Sequence, residues 1–164
     1  MAEQLPTFDP IEAAEAIVTG MPNKPTISHG GDRACYSPSL DLVRMPSPER
    51  FTPREEYYSA LYHEIAHSSG HASRLARKGI TDAVMHSGHE YSQEELVAEI
   101  TSAFLCGHAG IAPATLDNSA AYLAGWLSKL GDDQRLVVLA AAQAQRAADH
   151  ILGVSHGQVA EKAA

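Results

Sequence analysis

The apolar positions of this chain follow a helical period at first, then a short alternating stretch, then a helical period again. Ile11, Ala14, Ile17 and Val18 form a stripe at helical spacing. Ahead of it, Asp9-Pro10-Ile11-Glu12 combines a capping Asp, a proline at the first helical position and a glutamate three residues after the cap. Gly20 closes that helix. Between residues 22 and 50 the period shortens. The β-prone pieces at 26–29, 34–36 and 40–45 are separated by Gly30-Gly31 and Ser37-Pro38-Ser39, which predicts a small antiparallel meander. A second capping box, Thr52-Pro53-Arg54-Glu55, opens a helix expected to run to Gly70. Residues 71–90 lack clean periodicity and predict a long loop with room for one turn of helix. Loops of that length are often functional. Ser92-Gln93-Glu94-Glu95 starts a third helix, closed by Gly107 and Gly110. Two more helices are predicted at about 118–130 and 132–152, and 154–164 reads as a loose tail. Trp126, Leu136, Leu139 and Ile151 are assigned to the core. The pattern as a whole predicts one α+β domain over 1–164, with its core at about 10–153 and a helical C-terminal half.

The chemistry sits on the second helix, in the run Tyr62-His63-Glu64-Ile65-Ala66-His67. His-Glu-x-x-His on a helix places both imidazoles on one face, one turn apart, where they can share a tetrahedral ion. Glu64 then lies beside the ion rather than on it, placed to accept a proton from water. Leu61 and Ile65 supply an apolar back face. Tyr57, Tyr58 and Tyr62 read as packing residues.

Such a site needs a third protein ligand and an open fourth position. His67-Ser68-Ser69-Gly70 begins like the longer metzincin motif, but Ser73 stands where that motif has its third histidine. A thermolysin-like, or gluzincin, arrangement takes its third ligand from a glutamate on a following helix. An acid four positions later then orients a ligand histidine. Glu95 as metal ligand and Glu99 as its outer partner match that spacing, with Glu99 the alternative ligand. Glu95 also has a competing role, because it stands three residues after Ser92 and could complete a capping box. Tyr36, Tyr91 and His71 are candidates for contacting substrate or a developing oxyanion, as are His86 and His89.

Composition and charge narrow the partners. The chain has 164 residues and a formal net charge of −8, with 12 basic residues against 20 acidic ones. A nucleic-acid surface needs clustered Lys and Arg, and the longest basic cluster here, from Arg74 to Lys78, is too short for one. No direct nucleic-acid binding is expected from this domain alone. Two cysteines, Cys35 and Cys106, fall short of a disulfide framework, and Cys106 reads as a buried thiol. The N-terminus has neither the basic start nor the apolar core of a signal peptide, and no apolar run approaches membrane-spanning length. The expected location is cytoplasmic.

Several ordered motifs then coincide. His63 to Arg77 reads HEIAHSSGHASRLAR, and Tyr91 onward reads YSQEELVAEITSAFLCGHAGI. These stretches resemble the metallopeptidase domain of ArdC-type antirestriction proteins and related plasmid primases, where the motifs take the forms HELxHWTGHxSRLxR and YxxEELVAELxxAFL. The resemblance extends upstream through Ala34 to Asp41 and downstream through Ala121-Tyr122-Leu123-Ala124-Gly125-Trp126-Leu127, covering about residues 10–153. Ser68-Ser69 departs from the Trp-Thr of the family pattern. ArdC-type proteins usually carry an N-terminal domain that binds single-stranded DNA, and nothing in this chain reads as one.

The resemblance implies a zincin-like fold with one zinc per chain, a site that manganese or another divalent ion could also occupy. It implies a protein or peptide substrate laid along an edge strand, at 41–45 or 34–36, and cleaved with Glu64 as general base. Two functions stay open. The domain is either a peptidase acting on a host or partner protein when a mobile element arrives, or a zinc-binding interaction module that blocks a restriction enzyme without cleaving it.

Overall fold

The computed structural model describes residues 7–82, 88–131 and 133–155. His86 and the tail beyond residue 155 lie outside the described residues. For His89 only the backbone is described.

The chain begins with helix α1 (Glu12–Gly20), followed by strands β1 (Thr26–His29), β2 (Cys35–Ser37) and β3 (Leu42–Met45). Helix α2 (Glu55–Ser69), the short α3 (Lys78–Thr81), and the long helices α4 (His89–His108), α5 (Ala112–Lys129) and α6 (Gln134–Ile151) complete it. Helices fill the C-terminal half, as their periodicity predicts.

The sheet differs from the predicted meander. Its order is β1-β3-β2, with β1 parallel to β3 and only β2 antiparallel to it. An alternation of period two marks a strand without marking its partner or its direction. This order makes β3 central. The stretch at 41–45 therefore has neighbours on both sides and cannot be the edge that takes a peptide, whereas β1 and β2 are the outer strands of the sheet among the described residues.

The helix starts differ as well. Neither Ile11, the cap of α1, nor Arg54, the cap of α2, makes a side-chain capping hydrogen bond. Helix α4 begins at His89, so Ser92 lies inside it, and the capping box that competed for Glu95 does not form. Helix α5 begins at Ala112, earlier than about 118, because Pro113 sits in its first turn. Asp133 is a true cap, accepting from the backbone N–H of Arg135 at 2.9 Å.

The main core joins α1, the sheet and the apolar face of α2, with Tyr58, Tyr62, Ile65, Val43, Met45 and Leu105 essentially sealed from water. The two innermost tyrosines keep their hydroxyls bonded. Tyr62 donates to the Ala14 carbonyl at 3.1 Å and Tyr58 to Glu15 at 2.7 Å, which ties α2 to α1. A second core, built on Leu96, Val97, Leu130, Ala140 and Ala144, lies between α4 and the last two helices. Ala140, Ala144, Ala147 and Ala148 are buried on one face of α6, so that helix approaches α4 closely. Trp126, Leu136 and Ile151 are core or core-edge residues as expected. Leu139 is not, being 54% exposed on the outer face of α6. Cys106 is buried and Cys35 exposed, both as free thiols.

Two arginines of the supposed basic cluster are structural. The guanidinium of Arg74, fully buried, bonds both carboxylate oxygens of Asp41 at 2.8 Å and also reaches the Ser68 carbonyl at 3.0 Å. It thereby pins the end of α2 to the turn before β3. Arg77, also buried, reaches in the other direction, into α4. Both guanidinium charges are met by internal carboxylates. Among the described residues, no helix is long and apolar enough to cross a membrane.

Candidate metal centre

Helices α2 and α4 lie against each other, and each brings residues spaced four apart to the shared face. His63 and His67 come from α2, and Glu95 and Glu99 from α4. The Nε2 atoms of the two imidazoles face each other at 3.0 Å. Glu95 closes the triangle, with one oxygen 3.2 Å from His63 Nε2 and the other 3.4 Å from His67 Nε2. One donor atom from each of these three residues falls within 4.8 Å of the others.

The far side of each ring is also engaged. Glu99 lies 3.2 Å from His63 Nδ1, and Glu94 lies 3.3 Å from His67 Nδ1. With Nδ1–H directed at a carboxylate, each ring presents the lone pair of Nε2 inward, toward the same point. Two imidazole lone pairs and a carboxylate meeting this closely call for a positive charge between them. The donor set, two nitrogens and an oxygen with a position left open, fits a divalent ion such as zinc. Without an ion, protons take that role. Burial works against the imidazolium of His63, but hydrogen bonds to Glu95 and Glu99 prevail and push its pKa up to about 10. For His67 burial again opposes the charge, and Glu94 and Glu95 raise it to about 8. The same contacts outweigh burial at Glu95 and hold its carboxyl far below the usual carboxylate range.

Glu64 is nearly buried and stands outside the donor triangle. Burial pushes its carboxyl above the ordinary value, while His67 and His63 pull it down, as does the backbone of Tyr36. The general-base candidate therefore sits between the two imidazoles and the edge strand β2.

The remaining candidates separate. The structure brings Tyr91 in, with its hydroxyl on Glu95 and its ring edge-on to Trp126 at 5.7 Å. Burial and the Glu95 charge push that phenol up to about 12. Tyr36 contributes backbone to the site, but its hydroxyl turns away and donates to Asp41 at 2.9 Å. Burial and Asp41 raise its pKa well above the ordinary phenol value. His71 follows the end of α2 and bonds the Ser73 hydroxyl at 2.8 Å, away from the imidazole pair. Sequence reasoning missed two members of the site, Glu94 and Arg77. The Glu94-Glu95 doublet was the available signal for the first, because an acid beside a ligand glutamate lies about a third of a helical turn around the same helix.

A His-Glu-x-x-His helix that shares its histidines with a glutamate from the next long helix, beside a small mixed sheet, defines a zincin-type metal-centre domain. Known proteins carry the same arrangement: the family model described as zincin-like metallopeptidase matches residues 12–143, and the chain belongs to that family. It is similar to the antirestriction protein ArdC of plasmid R388 in its Mn(II)-bound form, at 36% identity and a TM-score of 0.68, over 93% of this chain and 54% of that one. The metal-free form of ArdC matches at 37% identity and a TM-score of 0.63, over 88% of this chain and 50% of that one. DNA primase TraC of Escherichia coli is 38% identical over 157 residues, which are 94% of this chain and 10% of that protein. The chain thus spans about half the length of one relative and a tenth of the other.

Proposed function

We propose that this domain is a peptidase working with one divalent ion, zinc, held by His63, His67 and Glu95, with Glu64 as its proton acceptor and donor. The observation that carries the reading is the convergence of those three donor atoms within 4.8 Å beside a buried acid that is not one of them. A structural zinc site closes its shell with four protein ligands, and among the described residues this set offers three.

When bound, such an ion supplies Lewis acidity, polarising a scissile carbonyl and acidifying water. The chain's own residues do the rest. Glu99 and Glu94 fix the two imidazoles so that both Nε2 atoms point inward. Glu64 holds the proton taken from the attacking water and returns it to the leaving amine nitrogen. Tyr91, tied to Glu95, keeps that carboxylate in place at the mouth of the site. The outer edge of β2, beside Glu64, offers main-chain hydrogen bonds to an extended peptide.

The antirestriction name of the ArdC relative favours a second reading, in which the domain protects incoming DNA by binding a host protein without cutting it. Glu64→Gln separates the two. In the first reading it lowers cleavage of unfolded protein substrates by about 10²- to 10⁴-fold, while zinc content stays at one per chain. If wild-type protein cleaves nothing and Glu64→Gln protects DNA from restriction as well as wild type does, the interaction reading stands instead.

A further inference from the structure

We infer that Arg77 is a positioning residue for the metal centre, acting through Glu94 to fix the ring of His67. Arg77 is 8% exposed, and each nitrogen of its guanidinium donates at least one hydrogen bond. Nε and Nη2 bond the two oxygens of Glu94 at 3.0 and 2.7 Å, a bidentate pairing. Nη2 also donates to the Ala66 carbonyl at 2.7 Å, and Nη1 to the Ser69 hydroxyl at 2.8 Å. Both of those acceptors belong to the last turns of α2, on either side of His67. Glu94 Oε1, held from one side by Arg77, faces His67 Nδ1 at 3.3 Å from the other. The arginine therefore locks the carboxylate and the helix that carries the histidine to each other.

Two glycines clear the space for this pair. A Cβ on Gly79 would stand 2.9 Å from Glu94 Cβ and 3.2 Å from its Oε2. A Cβ on Gly70 would meet Ile80 at 2.7 Å and the Arg77 guanidinium carbon at 3.0 Å. On its outer side the pair faces a cavity of about 450 Å³ that Gln143 and Arg146 also line, so an uncharged side chain at position 77 has room to settle. His63 is held differently on its outer side, where Nδ1 meets Glu99, and Arg77 supports the second imidazole. A lysine would keep the charge but not the planar fork, so it cannot hold both Glu94 oxygens and two points of α2 together.

The inference rests on the reading of His63, His67 and Glu95 as the metal set, and the test keeps the two apart. Zinc is titrated against a chromophoric chelator into the full chain. The variants are wild type, Arg77→Lys, the charge-neutral pair Arg77→Met with Glu94→Gln, and Arg74→Met. The visible spectrum of the cobalt(II)-loaded protein is recorded for each. Arg77→Met/Glu94→Gln leaves no unpaired buried charge, so it tests positioning with the fold kept. Its zinc affinity is expected to fall about 10- to 100-fold, the usual effect of losing an outer partner of a ligand. The cobalt bands shift, and Arg77→Lys lies in between. Arg74→Met, which cuts the clamp to the sheet instead, loses thermal stability and keeps zinc affinity within about threefold. Wild-type affinity and an unshifted spectrum in the Arg77 variants would overturn the inference. So would an equal loss in Arg74→Met, which would mark general loosening of α2. Wild-type protein that binds no zinc would sink the metal reading itself.

Discussion

Glu95 and Glu99 are chemically identical and one helical turn apart, yet they touch different atoms. Glu95 faces both inward nitrogens, whereas Glu99 meets His63 on its outer one. Glu95→Ala should therefore abolish stoichiometric zinc binding, while Glu99→Ala weakens it about 10- to 100-fold, as an orienting partner does. A chelator competition titration reads both, and the reverse order would exchange their roles. That Glu95 and Glu99 share one face was legible in the sequence, because spacing along a helix fixes it, but which of them meets the inward nitrogens was left open there. Arg77 and Glu94 were not legible. They are 17 positions apart and meet only through the approach of α3 and the end of α2 to α4, which no local pattern encodes. In the sequence Arg77 was one residue of a short basic cluster, and Gly79 fell within the stretch without clean periodicity. Their meaning depends on what a side chain would strike in the folded molecule.

Among the elements, the turn before β3 holds α2 to the sheet. Asp41 sits there at φ 46°, accepting from Tyr36 and from both ends of the Arg74 fork. Hydrogen bonds from Arg74 hold its carboxyl below the ordinary value of 3.8 despite some burial. The folded pKa is depressed, so the pairing contributes stability above the ordinary aspartate range and loses it as pH falls through the lower, folded value. Asn tolerates the left-handed backbone as Asp does, which makes Asp41→Asn a clean probe. The stability gap between wild type and Asp41→Asn, from urea unfolding, should be widest near neutrality and close as the pH falls below the ordinary aspartate value of 3.8. A gap independent of pH would show that the charge contributes nothing. The position of these elements was harder to read than their existence. Periodicity located every long helix, but the parallel pairing of β1 with β3 passes over β2 and leaves no trace in local alternation. The capping boxes failed for a related reason: at α1 and α4 the helix begins at a residue other than the box's serine or aspartate, since packing outweighs a contribution of about 1 kcal/mol.

For the molecule as a whole, an ion bound by the folded state alone raises its stability by mass action. At a free zinc concentration a hundred times Kd, the gain is about 2.7 kcal/mol. For a domain of this size that is roughly 5–10 °C in Tm. Calorimetry with and without a chelator checks the shift, and His63→Ala should erase it. The charge of −8, with Arg74 and Arg77 both consumed in internal pairs, predicts no micromolar binding of single-stranded DNA. Low salt is the most generous condition for such binding, so a fluorescence anisotropy titration there is the test. The shape of the sheet carries a last consequence. Strand β2 is three residues long, and Pro38, which has no N–H to offer, follows it directly. At about 3.3 Å per residue, a peptide aligned with it is gripped over roughly 10 Å of main chain. Cleavage mapped on a randomised peptide library should therefore show preferences confined to the two or three positions around the cut, with sequence farther out leaving the rate unchanged.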